Sequence, residues 1–268
     1  MHRRIGAVVV ITAILTAGCT ANQATDAMAP GNGAPPGEGP PQISLNLTAC
    51  GGSAARVDTP SQLTQATVPP KYRPVEQFRG LAMVFVQALA CEKVAVDGVD
   101  EGPAHISLTF VMVQRDAEHG TAPGWLSAFL LEARTNHPMV QARLGALGLG
   151  VRNGTVSTSV DRFPIGQEAV VGRVFQEGLR IYEYQVYPSI GITTTEYRIR
   201  FFFRPDAAAG HFDMAYASTE STNFGIGKVE AGSGTALGRF YGGVGPAHAI
   251  GIRIQSLTGI LAGNKTLP

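Results

Sequence analysis

The clearest alternation in the chain runs from Thr195 to Arg204. Tyr197, Ile199, Phe201 and Phe203 occupy one set of positions, and Glu196, Arg198, Arg200 and Arg204 the other. A period of two puts these sets on opposite faces of a strand. Leu81 to Leu89 (LAMVFVQAL) and Ile106 to Gln114 (ISLTFVMVQ) are apolar runs of the length of a buried strand. Val94 to Val96 leads into Asp97-Gly98, a hairpin-turn pair. Trp125 to Thr135 fits a strand or a helix by composition. Further strands are predicted at Val156 to Val160, Ala169 to Gln176, Leu179 to Tyr187, Phe212 to Ala217, Ala236 to Tyr241 and Ala249 to Leu257. One helix is predicted, Pro138 to Leu147, opened by Asn136-His137-Pro138 and closed by Gly148 and Gly150. Many strands, one helix and 33 glycines indicate a mainly β fold, an antiparallel barrel or sandwich with one covering helix.

The pattern changes abruptly toward the N-terminus. His2, Arg3 and Arg4 are a short basic start, Ile5 to Ala17 is almost wholly apolar, and Ala17-Gly18 precede Cys19. This is the layout of a secretory signal. As a helix the apolar run covers roughly 20 Å, short of the roughly 30 Å of a bilayer core, so residues 1–18 are expected to be cleaved. Residues 21–42 hold five prolines and four glycines and no aromatic, Leu, Ile or Val. Such a segment buries too little apolar surface to offset its ordering entropy, and reads as a tether. Residues 43–268 are then one β-rich domain, since no second linker is visible.

Leu15-Thr16-Ala17-Gly18-Cys19 resembles a bacterial lipobox. The resemblance implies a diacylglyceryl group on Cys19, cleavage just before it, and an extracytoplasmic protein held on a cell membrane by its acyl chains. Two chains suffice for stable anchoring. The alternative is an ordinary secretory signal followed by an incidental cysteine. With Cys19 so used, Cys50 and Cys91 are an even pair in an oxidising compartment, read as a disulfide; two buried thiols are the other possibility.

Charge narrows the partners. Without Arg3 and Arg4 the 21 Lys+Arg fall to 19, against 20 Asp+Glu, so the mature chain is near neutral at −1. That excludes the basic footprint nucleic acid requires. With 15% charged and 44% hydrophobic residues, a well-buried domain follows.

Candidate chemistry is sparse. If Leu179 to Tyr187 and Thr195 to Arg204 pair as a hairpin, Glu183 lies near Arg198 and Arg200, and the three are candidates for a polar ligand pocket, because arginine grips carboxylates with a two-pronged fork. Against this stands a solvent face with weak cross-strand ion pairs. Tyr182, Tyr184 and Tyr187 would be its amphipathic lining or plain strand residues. His105, His119, His137, His211 and His248 have no metal-type spacing and no readable partner. The Gly232–Gly234 and Gly242–Gly245 stretches lack the βαβ setting of a dinucleotide site and read as turns. Asp97, Asp100 and Glu101 lack the calcium-loop spacing and read as a solvated hairpin. No metal, cofactor or catalytic residue is assigned.

One order of segments carries a family resemblance. VPPKYRP (Val68 to Pro74), a strand ending in Cys91 with a DG turn, a further strand, and then YEYQVY resemble the acetoacetate decarboxylase-like β-barrels. The resemblance implies a barrel with an interior pocket. That family works through a lysine of lowered pKa that forms a Schiff base, and none of Lys71, Lys93, Lys228 and Lys265 sits in the family's lysine motif. Two functions are therefore open: a lipid-anchored domain binding a small organic ligand or envelope partner without catalysis, and an extracytoplasmic decarboxylase-like enzyme. A purely structural envelope protein is the third.

Overall fold

The structure is a computed structural model describing residues 43–114, 124–162, 168–186, 193–203, 210–240 and 249–264. Residues 1–42, where a leader and a tether were expected, lie outside the described residues. The strands are β1 (Ile43–Pro60), β2 (Glu76–Phe78), β3 (Leu81–Val96), β4 (Val99–Asp100), β5 (Ala104–Met112), β6 (Leu126–Thr135), β7 (Val151–Asn153), β8 (Thr155–Arg162), β9 (Glu168–Gln176), β10 (Leu179–Val186), β11 (Thr193–Phe202), β12 (His211–Ala231) and β13 (Ala249–Asn264). Three helices occur among the described residues: α1 (Ser61–Thr67), α2 (Pro138–Ala146) and α3 (Ala236–Phe240).

Strands β11, β6, β5, β3, β1, β13 and β12 are neighbours in that order, and β12 pairs back with β11, so seven strands close a barrel. The pairs are antiparallel except β6 with β11. The far end of β12 also pairs with β10, extending into a smaller antiparallel sheet β10-β9-β8. The mainly β, barrel-type expectation holds.

Two cores follow from the alternation. The first draws apolar residues from all seven barrel strands and fills the interior, among them Leu45, Leu89, Leu108, Leu130, Phe201, Met214 and Leu257. Phe201 stacks on Phe212 and meets Phe110 edge-on, and Phe110 stacks on Phe85. Of the apolar set predicted, Tyr197, Ile199 and Phe201 face the interior from β11, and Phe203, just past its end, packs against the same core. The second core lies between the barrel's outer face and the β8–β10 sheet, with Val57, Val86, Val111, Val174, Tyr182 and Val229.

Local signals place the connections. Asp97 and Gly98 both have positive φ (50° and 85°), as do Glu177 and Gly178 (51° and 79°), the pattern of tight hairpin turns. Helix α2 starts as predicted: Pro138 is in its first turn and Val140 N–H donates to the His137 side chain. Its Val140, Leu144 and Leu147 enter the barrel core, so it plugs one end. Ala236–Phe240 is a helix, not the predicted strand. Thr235 Oγ1 accepts from Gly238 N–H at 3.0 Å, a side-chain cap that alternation in apolar residues hides.

The disulfide is present. Cys50 and Cys91 are opposite one another on β1 and β3, with Cα atoms 3.8 Å apart.

Candidate functional site

The structure separates the residues that were expected to share a pocket. Strand β10 pairs with β9 and β12, while β11 pairs with β12 and β6, so the predicted β10–β11 hairpin does not form. Strand β12 is long enough to serve both sheets, a length its glycine-interrupted sequence does not announce.

Glu183 sits in the small sheet, where Oε2 accepts from Arg173 Nε at 2.8 Å and from Arg180 Nη1 at 2.5 Å. Arg198 is exposed. Arg200, two residues on, is 1% exposed and gives its fork to Asp213: Nε donates to Oδ1 and Nη2 to Oδ2, both at 2.8 Å. Its guanidinium also lies 6.0 Å from the Trp125 ring. The two-pronged chemistry anticipated for Arg200 is present, but the partner is a carboxylate of the protein itself.

Tyr182 is buried, with its hydroxyl donating to Glu132 Oε2 at 2.9 Å, and burial followed by the Glu132 charge pushes it well above the ordinary tyrosine range. The same oxygen accepts from Ala236 N–H at 2.9 Å, and Arg134 pairs with the other. Arg134 Nη1 donates to Gln176 Oε1 at 2.6 Å. This network joins β6 of the barrel to β9, β10 and α3, and ties the small sheet in place. The side chain of Tyr184 is not among those described, and Tyr187 lies outside the described residues.

The histidines divide the same way. His137 caps α2. His105 Nδ1 accepts from Val156 N–H at 3.2 Å, and burial lowers its pKa. His211 is buried on β12 opposite Phe202. His119 and His248 lie outside the described residues, as does the Gly242–Gly245 stretch. No cluster of metal-ligating side chains occurs among the described residues. Asp97, Asp100 and Glu101 are engaged locally: Asp97 pairs with Arg143 at 3.1 Å, Asp100 with Lys93 at 2.6 Å, and the Glu101 carbonyl with His137.

Lys71 is exposed beside the Tyr72 ring, and the Lys93 side chain is 52% exposed. Lys228 is on β12 with its side chain outside the description, and Lys265 is outside it altogether.

The interior does hold a charged pair that sequence reading missed. A backbone irregularity at Ala49 (φ 51°) and the adjoining shifts in the β1–β13 register reverse the inward phase of β1. Leu45 and Leu47 face inward before it; beyond it the even-numbered residues do, because Ala55 and Val57 join the outer core. Arg56 lies opposite Phe85, which packs against the interior core. Arg56 Nη2 donates to Asp58 Oδ2 at 3.1 Å. An open cleft of about 790 Å³ is lined by Ser61, Gln65, Arg73, Glu76 and Gln114 among others, and by none of Glu183, Arg198 or Arg200. The Gly80 N–H and then the Ser61 side chain hold the Glu76 carboxyl below the usual carboxylate range.

No protein-family model matches the sequence, and no curated protein matches it. Solved structures do match. The enduracididine biosynthesis enzyme MppR with HEPES bound superposes with a TM-score of 0.52 at 14% identity, covering 85% of this chain and 88% of that one. MppR complexed with pyruvate gives 0.50 at 14%, covering 86% and 92%. The acetoacetate decarboxylase from Legionella pneumophila gives 0.51 at 12%, covering 98% of each chain. The segment order that resembled the acetoacetate decarboxylase-like barrels is matched by the fold: this chain folds as these proteins do.

Proposed function

We propose that this chain is an exported lipoprotein whose acetoacetate decarboxylase-like barrel binds a small organic ligand without turning it over through a Schiff base. The observation that carries the reading is where the described lysines stand. A Schiff-base lysine needs a pKa lowered by burial or a neighbouring cation. Lys71 is exposed, and Lys93 is exposed and ion-paired with Asp100, so neither stands in a buried site or beside a second cation. Export is supported by the leader ending at Cys19 and by the Cys50–Cys91 disulfide, which persists in oxidising compartments. The ligand class is supported by pyruvate, a small organic acid, in a protein of the same fold.

The fold match favours the second reading, a decarboxylase-like enzyme. Incubation with pyruvate or acetoacetate and borohydride separates the two. The binding reading expects the intact mass to stay unchanged. A reduced adduct on any lysine, Lys228 and Lys265 included, overturns it.

A further inference from the structure

Helix α2 is apolar on two sides. Val140 and Leu144 enter the barrel core. The other side carries Pro138, Met139, Ala142, Arg143, Gly145 and Ala146, all exposed, and Met139 keeps 40% of its surface open. A solvent-facing helix surface ordinarily carries several charged and polar groups, and this one has a single charge. Arg143 Nη2 lies 3.1 Å from Asp97 Oδ2 in the turn between β3 and β4. His137, at the start of α2, meets the Glu101 carbonyl just beyond β4 at 3.1 Å. Helix and hairpin therefore lie side by side, and the hairpin adds Val99, 60% exposed. The hairpin's Lys93 and Asp100 pair with each other, so these charges around the apolar positions are matched.

The chain enters the domain at the same place. Ile43 opens β1, and Ser44 is tied to the hairpin twice: its N–H donates to Asp97 Oδ1 at 3.0 Å, and its carbonyl accepts from Asp97 N–H at 2.8 Å. Residues 19–42, expected from their composition to be a tether, thus join the domain beside Val99 and α2. A coil of that length has a root-mean-square span of about 25–30 Å. The other end of β1, at Pro60, is about 55 Å further along the strand. Acyl chains on Cys19 would hold the α2 end within the ordinary reach of such a coil, at high effective concentration against the bilayer, and leave the Pro60 end beyond it.

We propose that the exposed side of α2 and the β3–β4 hairpin form a bilayer-docking face, with Met139 and Val99 entering the boundary between headgroups and acyl chains. This rests on the lipoprotein reading above and adds the orientation of the domain: the plugged barrel end lies on the membrane, and the end bearing α1 points away from it. Two apolar side chains bind a bilayer weakly by themselves; the anchor makes their insertion intramolecular.

The test uses the full-length acylated protein in vesicles of phosphatidylethanolamine and phosphatidylglycerol. An NBD dye is attached through Met139→Cys, Val99→Cys or, as a control on α1, Leu63→Cys, a position 48% exposed. Nitroxide-bearing lipid is expected to quench the dye at positions 139 and 99 severalfold more than at position 63, and a water-soluble nitroxide to do the reverse. Met139→Glu is expected to bring lipid quenching at position 99 down to the level at position 63. Equal lipid quenching at the three positions, or no effect of Met139→Glu, overturns the docking face while leaving the lipoprotein reading standing. Shielding of position 139 from the soluble nitroxide that grows with protein concentration in detergent assigns the face to a second copy of the chain and overturns it as well. A protein that does not float with the vesicles once detergent is removed overturns both readings.

Discussion

Arg200 on β11 and Asp213 on β12 are opposite in register and joined by two parallel hydrogen bonds of 2.8 Å in a buried setting. The pair has the geometry that makes breaking it costly. Arg200→Met is expected to destabilise the protein by about 3–5 kcal/mol, because it leaves the Asp213 carboxylate buried without its guanidinium. The double replacement with Asp213→Leu should recover most of that loss. Urea unfolding of the three proteins measures both numbers; a single substitution costing under about 1 kcal/mol would show the pair to be solvated.

The Cys50–Cys91 bridge closes a loop across adjacent barrel strands, with a sequence separation of 41. The chain-entropy model gives it about 4 kcal/mol. Replacing both cysteines by alanine should lower the denaturation midpoint accordingly, and adding reductant should move wild type to the same place. If the two proteins unfold together without reductant, the bridge contributes nothing.

Gly263 permits α2 to seat. A Cβ there meets the Leu147 side chain, with Cδ2 3.3 Å away and Cδ1 nearer still. Gly263→Ala is expected to cost about 1–3 kcal/mol by overpacking. Faster amide exchange confined to α2 and the start of β1 would place the damage; no change in stability or exchange would mean Leu147 moves aside freely.

His105 offers a pH signature. Burial lowers its pKa, and its Nδ1 must be unprotonated to accept from Val156 N–H. The unfolded chain, with an ordinary histidine value of about 6.5, therefore takes up its proton first as pH falls. The His105 contribution is fully present above the unfolded value and is lost as pH drops toward the lower folded value. Stability should decline over that window, and His105→Gln should flatten the decline. Identical pH profiles for the two proteins would remove the assignment.

Cys19→Ser tests the anchor. The variant should remain uncleaved or pass from the detergent phase to the aqueous one, and a labelled fatty acid should mark wild type alone. Label on the variant, or a wild type that partitions into buffer, would end the lipoprotein reading.

Local patterning carried much of the architecture. The alternation in β11, the apolar runs in β3 and β5, the Asp97-Gly98 turn and the His137-Pro138 helix start all act through neighbours in the chain, so they can be read without knowing the fold. The Cys50–Cys91 pairing was legible by counting. The order of segments was enough to suggest the barrel type that the solved structures match. What could not be read depended on pairing between distant segments. Whether β10 meets β11 or β12 is decided by how one long strand is shared between two sheets. That choice moved Glu183 away from Arg198 and Arg200 and set Asp213 against Arg200. The inward turn of Arg56 depends on a single residue of irregular backbone at Ala49, and a one-residue change of phase sends every later side chain to the other face. Strand character is a local property of side chains; register and facing are properties of the closed sheet, and only closure of the barrel decided them.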